Sequence, residues 1–195
     1  EQSVLDNIYE ITILDYNSAS SLVNKLPDFG DKQGLLDRLE HVYNLINTFE
    51  KVRTDVSDLT TIDIDWANVN KINNDIELLP ESIQRESIKQ LFDIKVEQIF
   101  NQLVLEATHA VEQAEATISE QDILSAETLV NNLPNSIEKD ELLARLNFVK
   151  DEYNQLIDEA SDAVEQAEQK ESIDDLTNAR DIVENLPEGS HKDSL

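Results

Sequence analysis

Apolar residues in this chain fall into columns. Counted back from its four prolines, Tyr16, Val69, Ile123 and Leu176 stand eleven residues before, Ala19, Ile72, Ala126 and Ala179 eight before, and Val23, Ile76, Val130 and Val183 four before. Every proline follows a leucine, in Leu26-Pro27, Leu79-Pro80, Leu133-Pro134 and Leu186-Pro187. Steps of three, four and three put all four columns on one face of an α-helix. The residue before a proline is pushed out of the α region, so each helix should stop at its Leu-Pro step. Fifteen residues before the prolines stand Thr12, Asp65, Ser119 and Ser172, whose side-chain oxygens can accept an orphan N–H at a helix start. Three residues further on, Asp15, Asn68, Asp122 and Asp175 take the place of the acceptor in a capping box, and Ile11, Ile64 and Ile118 precede the cap where a staple would sit. The pattern predicts four bounded helices of roughly 12 residues.

The prolines lie 53, 54 and 53 residues apart, and a fixed period of this size marks a repeat array. A longer helix should follow each proline. In the third repeat its seam reads Leu142, Leu146, Val149, Tyr153, Leu156, Ala160, Ala163 and Ala167, an unbroken alternation of four- and three-residue steps. The first repeat shows Leu35, Leu39, Val42, Ile46, Phe49 and Val56, with Arg53 interrupting. The second runs Ile88, Phe92, Val96, Ile99, Leu103, Ala107, Ala110 and Ala114, and two successive four-residue steps near Leu103 predict a helical stutter that absorbs the extra residue. Ala110 to Glu115 recurs identically as Ala163 to Glu168. The last helix of one repeat thus runs on as the first of the next.

The expected fold is all-α: an elongated, spectrin-like tandem array of three-helix bundles sharing helices between consecutive units, with an α-solenoid of helix pairs as the alternative. The repeats fall at 1–52, 53–106 (divergent), 107–159 and 160–195, the fourth lacking its last helix. Val4, Leu5 and Ile8 can form the first helix of the first repeat, and Lys192 and Leu195 match Lys139 and Leu142. No initiator Met or signal segment opens the chain, which reads as a piece of something longer, continuing into further repeats or domains.

Composition narrows the function. There are 42 acidic and 15 basic residues, a net charge of −27, so phosphate backbones and anionic membrane surfaces would be repelled and nucleic acid is not an expected partner. No run of 18 apolar residues exists, which argues against membrane insertion. The acidity fits a solvated surface that keeps neighbouring chains apart, or loose binding of divalent cations. Cysteine is absent, which removes disulfides and thiolate metal sites. Aromatic residues make up only 5%, so the core must be mostly Leu, Ile, Val and Ala.

Candidate sites are few. His41, His109 and His191 fall in different repeat columns and lack zinc-ligand spacing. Asp58, Asp63 and Asp65 cluster before the second short helix, but Asp65 serves as its N-cap and the glycine and closing glutamate of a calcium loop are missing. Trp66, outside the apolar columns, and Phe29, in the first Leu-Pro turn, are possible ligand contacts or covers for a joint between repeats. The column Lys32, Arg85, Lys139 and Lys192 is the one repeated basic feature, expected to form salt bridges with the acidic surface. Neither a catalytic constellation nor a cofactor or metal site is expected.

With the repeats aligned, Ala110 to Glu115, Ala126 to Pro134, and Lys139 with Leu142, Arg145 and Leu146 resemble the tandem three-helix repeats of Gram-positive bacterial surface proteins. The third repeat matches best; the second departs most, with Ile72, Asp75 and Leu91 at pattern positions. The resemblance implies a non-enzymatic, extracellular or cell-surface module: a stalk or spacer, or an adhesive module for a host protein or cell-wall ligand. A helical accessory region of a large secreted enzyme or toxin is a further possibility. The pattern consists of packing and capping residues, so no ligand residues carry over.

Overall fold

The computed structural model describes residues 13–28, 30–62, 64–170 and 172–194. Among them are seven helices and no strand: α1 (Ile13–Asn24), α2 (Gly30–Ser57), α3 (Trp66–Glu77), α4 (Ile83–Thr117), α5 (Glu120–Asn131), α6 (Ile137–Lys170) and α7 (Ile173–Glu184). The described chain is all-α, and the four helices that precede a Leu-Pro step are each 12 residues long.

Both ends of these short helices follow from local chemistry. Asp65 is extended (φ −104°, ψ 106°) and its carboxylate accepts the Ala67 N–H at 2.9 Å. Ser119 is extended too, and its Oγ accepts the Asp122 N–H at 3.3 Å. Asp122 does not reach back to the cap's backbone as a capping box would. Its carboxylate accepts the hydroxyls of Ser119 (2.8 Å) and Thr117 (2.7 Å), and the Ser119 N–H donates to Thr117 Oγ1. Ser172 has the backbone of a cap but makes no side-chain cap bond. Thr12, Ile11, Val4, Leu5 and Ile8 lie outside the described residues. At the other end, the leucine N–H donates three residues back in all four cases, to Val23, Ile76, Val130 and Val183, tightening the last turn before proline stops the helix.

The long helices cross the predicted junctions, with two changes of register. In α6 the seam residues Leu142, Leu146, Val149, Tyr153, Ala160, Ala163 and Ala167 are buried and Leu156 half-buried. In α4 the helix is unbroken through Ala107, but Val111 is fully buried where Ala110 was expected, and Ala110 is half-buried. The reason is geometric: three four-residue steps in a row, from Ile99 through Val111, carry the apolar seam around the helix. In α2, Val52 is buried in place of the expected break at Arg53, which is exposed and pairs with Glu50 at 2.6 Å.

The junctions themselves differ. Only Ile118 and Ser119 join α4 to α5, and Ile118 sits at φ 50°, a left-handed conformation that is costly for a β-branched side chain. By contrast α2 stops at Ser57, and residues 58–65 lead to α3. Thr60, Thr61 and Ile62 in that stretch are weak helix formers. Lys95 closes the end of α2 by donating to the carbonyls of Ser57 and Leu59.

The chain divides into two compact bodies, Glu1–Ile99 and Phe100–Leu195, and the division falls within α4. In the first, α2 packs against α1 and α3, and the core comprises Phe49, Val52, Val56, Val69, Ile72, Ile76, Ile88 and Phe92. The columns of α1 (Tyr16, Ala19, Val23) are half-buried, and Tyr16 stacks on Tyr43 with ring centres 4.9 Å apart. In the second, α6 packs against both α5 and α7, and Val111, Ile123, Ala126, Val130, Leu133, Leu142, Leu146 and Val149 are buried.

Candidate functional site

The polar arrangement that recurs in every repeat is a cationic hook. Each short helix ends with carbonyls that have no N–H partner within the helix, and the proline that follows cannot supply one. Five residues beyond the proline a basic side chain folds back onto them. Lys32 Nζ donates to the carbonyls of Leu26 (2.9 Å) and Asn24 (3.4 Å) and to the Asp28 carboxylate (2.9 Å). Lys139 Nζ donates to the carbonyls of Leu133 (2.7 Å) and Asn131 (2.9 Å). Lys192 Nζ donates to the Leu186 carbonyl (2.9 Å) and the Glu188 carboxylate (2.8 Å). Arg85 reaches the Leu79 carbonyl at 3.5 Å while also gripping the Glu77 carboxylate. Here one guanidinium nitrogen takes the carbonyl and another the carboxylate, so the two donors are divided between the helix end and the ion pair.

The salt bridges expected of this column form at Lys32, Arg85 and Lys192, and the carbonyl contacts come in addition to them. Three of the four cations do pair with a carboxylate, but their common partner is the leucine carbonyl at the negative end of a helix. These side chains are mostly covered: Lys32 is 19%, Arg85 18% and Lys192 22% exposed. In the second and third hooks a serine adds a further bond. Ser136 Oγ accepts the Lys139 N–H, and Ser82 Oγ accepts the Arg85 N–H, both at 3.2 Å. One residue thus closes the end of one helix with its side chain while its backbone begins the next. The available signal was the basic residue five positions after each proline, with a serine two positions after the proline at Ser82 and Ser136 alone.

Ion pairs tie helices together in the second body. Arg145 on α6 grips Glu115 on α4 with two parallel bonds of 2.9 and 2.7 Å, which holds the Glu115 carboxyl below its usual range. Lys150 on α6 meets Glu127 on α5 at 2.6 Å. Both pairs are partly exposed, so they set register more than stability.

A further cluster joins the last turn to the start of α5. The Ser190 N–H donates to Glu120 Oε2 at 2.6 Å and its Oγ donates to both carboxylate oxygens at 3.0 and 2.8 Å. The Glu120 pKa is lowered, first by the Ser190 N–H, then by the Ser190 hydroxyl, and least by the charge of His191. Beside it Tyr153 Oη lies 3.3 Å from His191 Nδ1, and burial followed by the Glu120 charge raises the Tyr153 pKa. Gly189 fits this corner because a Cβ there would come within 2.9 Å of Glu120 Oε2 and Tyr153 Oη. The Ser190 hydroxyl donates to the Glu120 carboxylate, so the cluster fastens the last turn to the start of α5.

The other candidates disperse. Trp66 is the first residue of α3 and is half-buried; Phe29 and Asp63 lie outside the described residues. His41, His109 and His191 are exposed on separate elements. Asp65 is occupied as a cap, and among the described residues no group of three or more His, Cys, Asp or Glu is gathered as metal ligands would be. No described helix is long and apolar enough to cross a membrane.

What sequence reasoning located only in part is a groove of about 510 Å³ between α6 and α7, whose apolar lining is Val164, Ala167, Leu176, Ala179 and Val183. Leu176 is 63% exposed there. No protein-family model matches this chain, and neither does any curated protein or solved structure.

Proposed function

We propose that this chain is a non-catalytic spacer, a stalk of tandem three-helix bundles belonging to a bacterial cell-surface or secreted protein. What supports the reading is one observation: the same 12-residue helix, Leu-Pro stop and cationic hook recur four times at a period of 53 or 54 residues. What recurs is what holds helices together. The exposed positions change freely, as in the column Ser18, Lys71, Ser125 and Asn178. A scaffold permits such change; a repeated binding site would not. The net charge of −27 would keep neighbouring stalks apart over a Debye length of about 8 Å at physiological ionic strength.

The test is deletion of one period, residues 111–163, which rejoins Ala110 to Val164 and restores the Ala-Val-Glu-Gln-Ala-Glu run. Small-angle scattering should show a particle shortened by one repeat, and the function of the protein that carries the stalk should fall only as its reach falls. An adhesive module would behave differently. If removing the second repeat abolishes capture of a ligand while removing the third does not, the stalk reading is wrong and the surface around Trp66 is the site.

A further inference from the structure

Two of the long helices, α4 and α6, leave two residues before the short helix that follows, whereas α2 leaves eight. Counted back from the next proline, Asp58-Leu59-Thr60-Thr61-Ile62 takes the place of Glu112-Gln113-Ala114-Glu115-Ala116 in α4 and Glu165-Gln166-Ala167-Glu168-Gln169 in α6. Threonine, isoleucine and aspartate stand where alanine, glutamine and glutamate favour helix, so the chain leaves the helix early here. The early stop frees carbonyls in the last turn of α2 that no later N–H reaches. Lys95 on α4 supplies the donor: its Nζ donates to the Ser57 carbonyl and to the Leu59 carbonyl, the latter at 3.3 Å. Fifteen residues beyond the prolines stand Val42, Lys95 and Val149, and Val149 is buried in the α6 seam. A valine there has no donor to offer, and a lysine in a seam needs acceptors for its ammonium. The lost helix and the gained lysine therefore answer each other. Val56 and Leu59 are buried beside this contact, while Ile62, three residues on, is 78% exposed.

We propose that residues 58–62 form a bending joint between α2 and α3 and that Lys95 is its latch. With the ammonium on both carbonyls, the end of α2 is tied to α4 and its angle to α3 is fixed. With the ammonium released to solvent, the last turn of α2 frays, and the β-branched stretch beyond it has no helix to return to. The α4–α5 corner is tied locally instead: Ile118 and Ser119 alone span it, and Thr117, Ser119 and Asp122 bond to one another there. The use of such a joint, to let a stalk turn, rests on the spacer reading; the latch itself does not.

Hydrogen exchange of the full chain tests the latch. The Asp58 and Leu59 amides, bonded to the Thr54 and Val56 carbonyls, should exchange about tenfold faster in Lys95→Met, the effect of losing a charged hydrogen bond. Residues 123–130 should keep their protection, which also shows that the variant folds. A second variant carries the sequence of residues 112–117 in place of residues 58–63, so that α2 continues and leaves no free carbonyl for Lys95. On that background Lys95→Val should raise the melting temperature; in the natural chain it should lower it. For bending, Asn47→Cys and Asn70→Cys place spin labels on exposed positions of α2 and α3, in a chain with no cysteine of its own. Lys95→Met should broaden the distribution of distances between them. Unchanged exchange at Asp58 and Leu59 would overturn the latch, as would a Lys95→Val effect of the same sign on both backgrounds. A distribution that keeps its width would overturn the joint. None of these outcomes depends on the deletion of residues 111–163, so the spacer reading stands or fails separately.

Discussion

Residues 107–133 and 160–186 carry nearly the same apolar columns and bury them differently. Val111, Ile123 and Val130 are 0%, 5% and 0% exposed, whereas Val164 and Val183 are only half-buried and Leu176 is 63% exposed. Other columns do not change: Ala126 and Ala179 are both buried, and so are Leu133 and Leu186. The helical face therefore has two strips. The alanine and the leucine before proline are sealed by the neighbouring helix of the pair, as in the cluster of Ala163, Ala167 and Ala179. The valine and isoleucine positions are sealed only when a further helix lies over them. Pattern assigns a residue to a face; its burial depends on who covers that face.

The largest test of this comparison is a pair of truncations at one column. Ile123→Ala should cost about 3 kcal/mol in chemical denaturation, because it empties a closed core. Leu176→Ala should cost less than about 1 kcal/mol, since water already reaches that side chain. Equal losses would mean that the open face is closed in solution.

A proline inside α6 probes the continuity of that long helix. Ala160 is fully buried inside α6, and Ala160→Pro removes a helix bond and should cost about 3 kcal/mol. Hydrogen exchange should quicken around residues 156–167 while residues 120–131 keep their protection. Unchanged exchange at the junction would contradict a continuous helix there.

Smaller effects should separate a hook from an ordinary surface pair. Lys139→Met should lower stability by about 1 kcal/mol, because two helix-end carbonyls lose their donor. Lys51→Met breaks an exposed pair with Asp55 one helical turn away and should cost less than about 0.5 kcal/mol. Melting curves of the two variants suffice to rank them.

The smallest effect concerns acid. Ser190 lowers the Glu120 pKa, so this contact stabilises the last turn above the ordinary carboxylate range and is lost as pH falls through the lowered value. Exchange of the Ser190 amide should accelerate over that window, and Glu120→Gln should flatten the profile. Loss of negative charge at the same pH relieves the repulsion within a chain of net charge −27, so global stability need not follow the turn. An amide that exchanges identically at neutral and acid pH would show that Glu120 does not fasten it.

Much of this was legible in the sequence because it is local. The starts of the short helices at Asp65, Ser119 and Ser172 and their ends before Leu-Pro depend on residues within a few positions, and the structure puts those boundaries where the caps and prolines predict. The continuity of α4 and α6 is local too, since neither glycine nor proline interrupts them. Other features required the fold. Val52 faces the core where a break at Arg53 was expected, and Val111 where Ala110 was, because which side of a long helix turns inward depends on what packs against it over several turns. The lysine column read as surface charge until the Leu-Pro turn brought each ammonium back to a helix end. Glu120 and Ser190, 70 residues apart, meet only through the packing of α5, α6 and α7. A sequence states which side chains can bury or bond; burial and long-range bonding are properties of pairs of elements, and only the tertiary structure chooses the pairs.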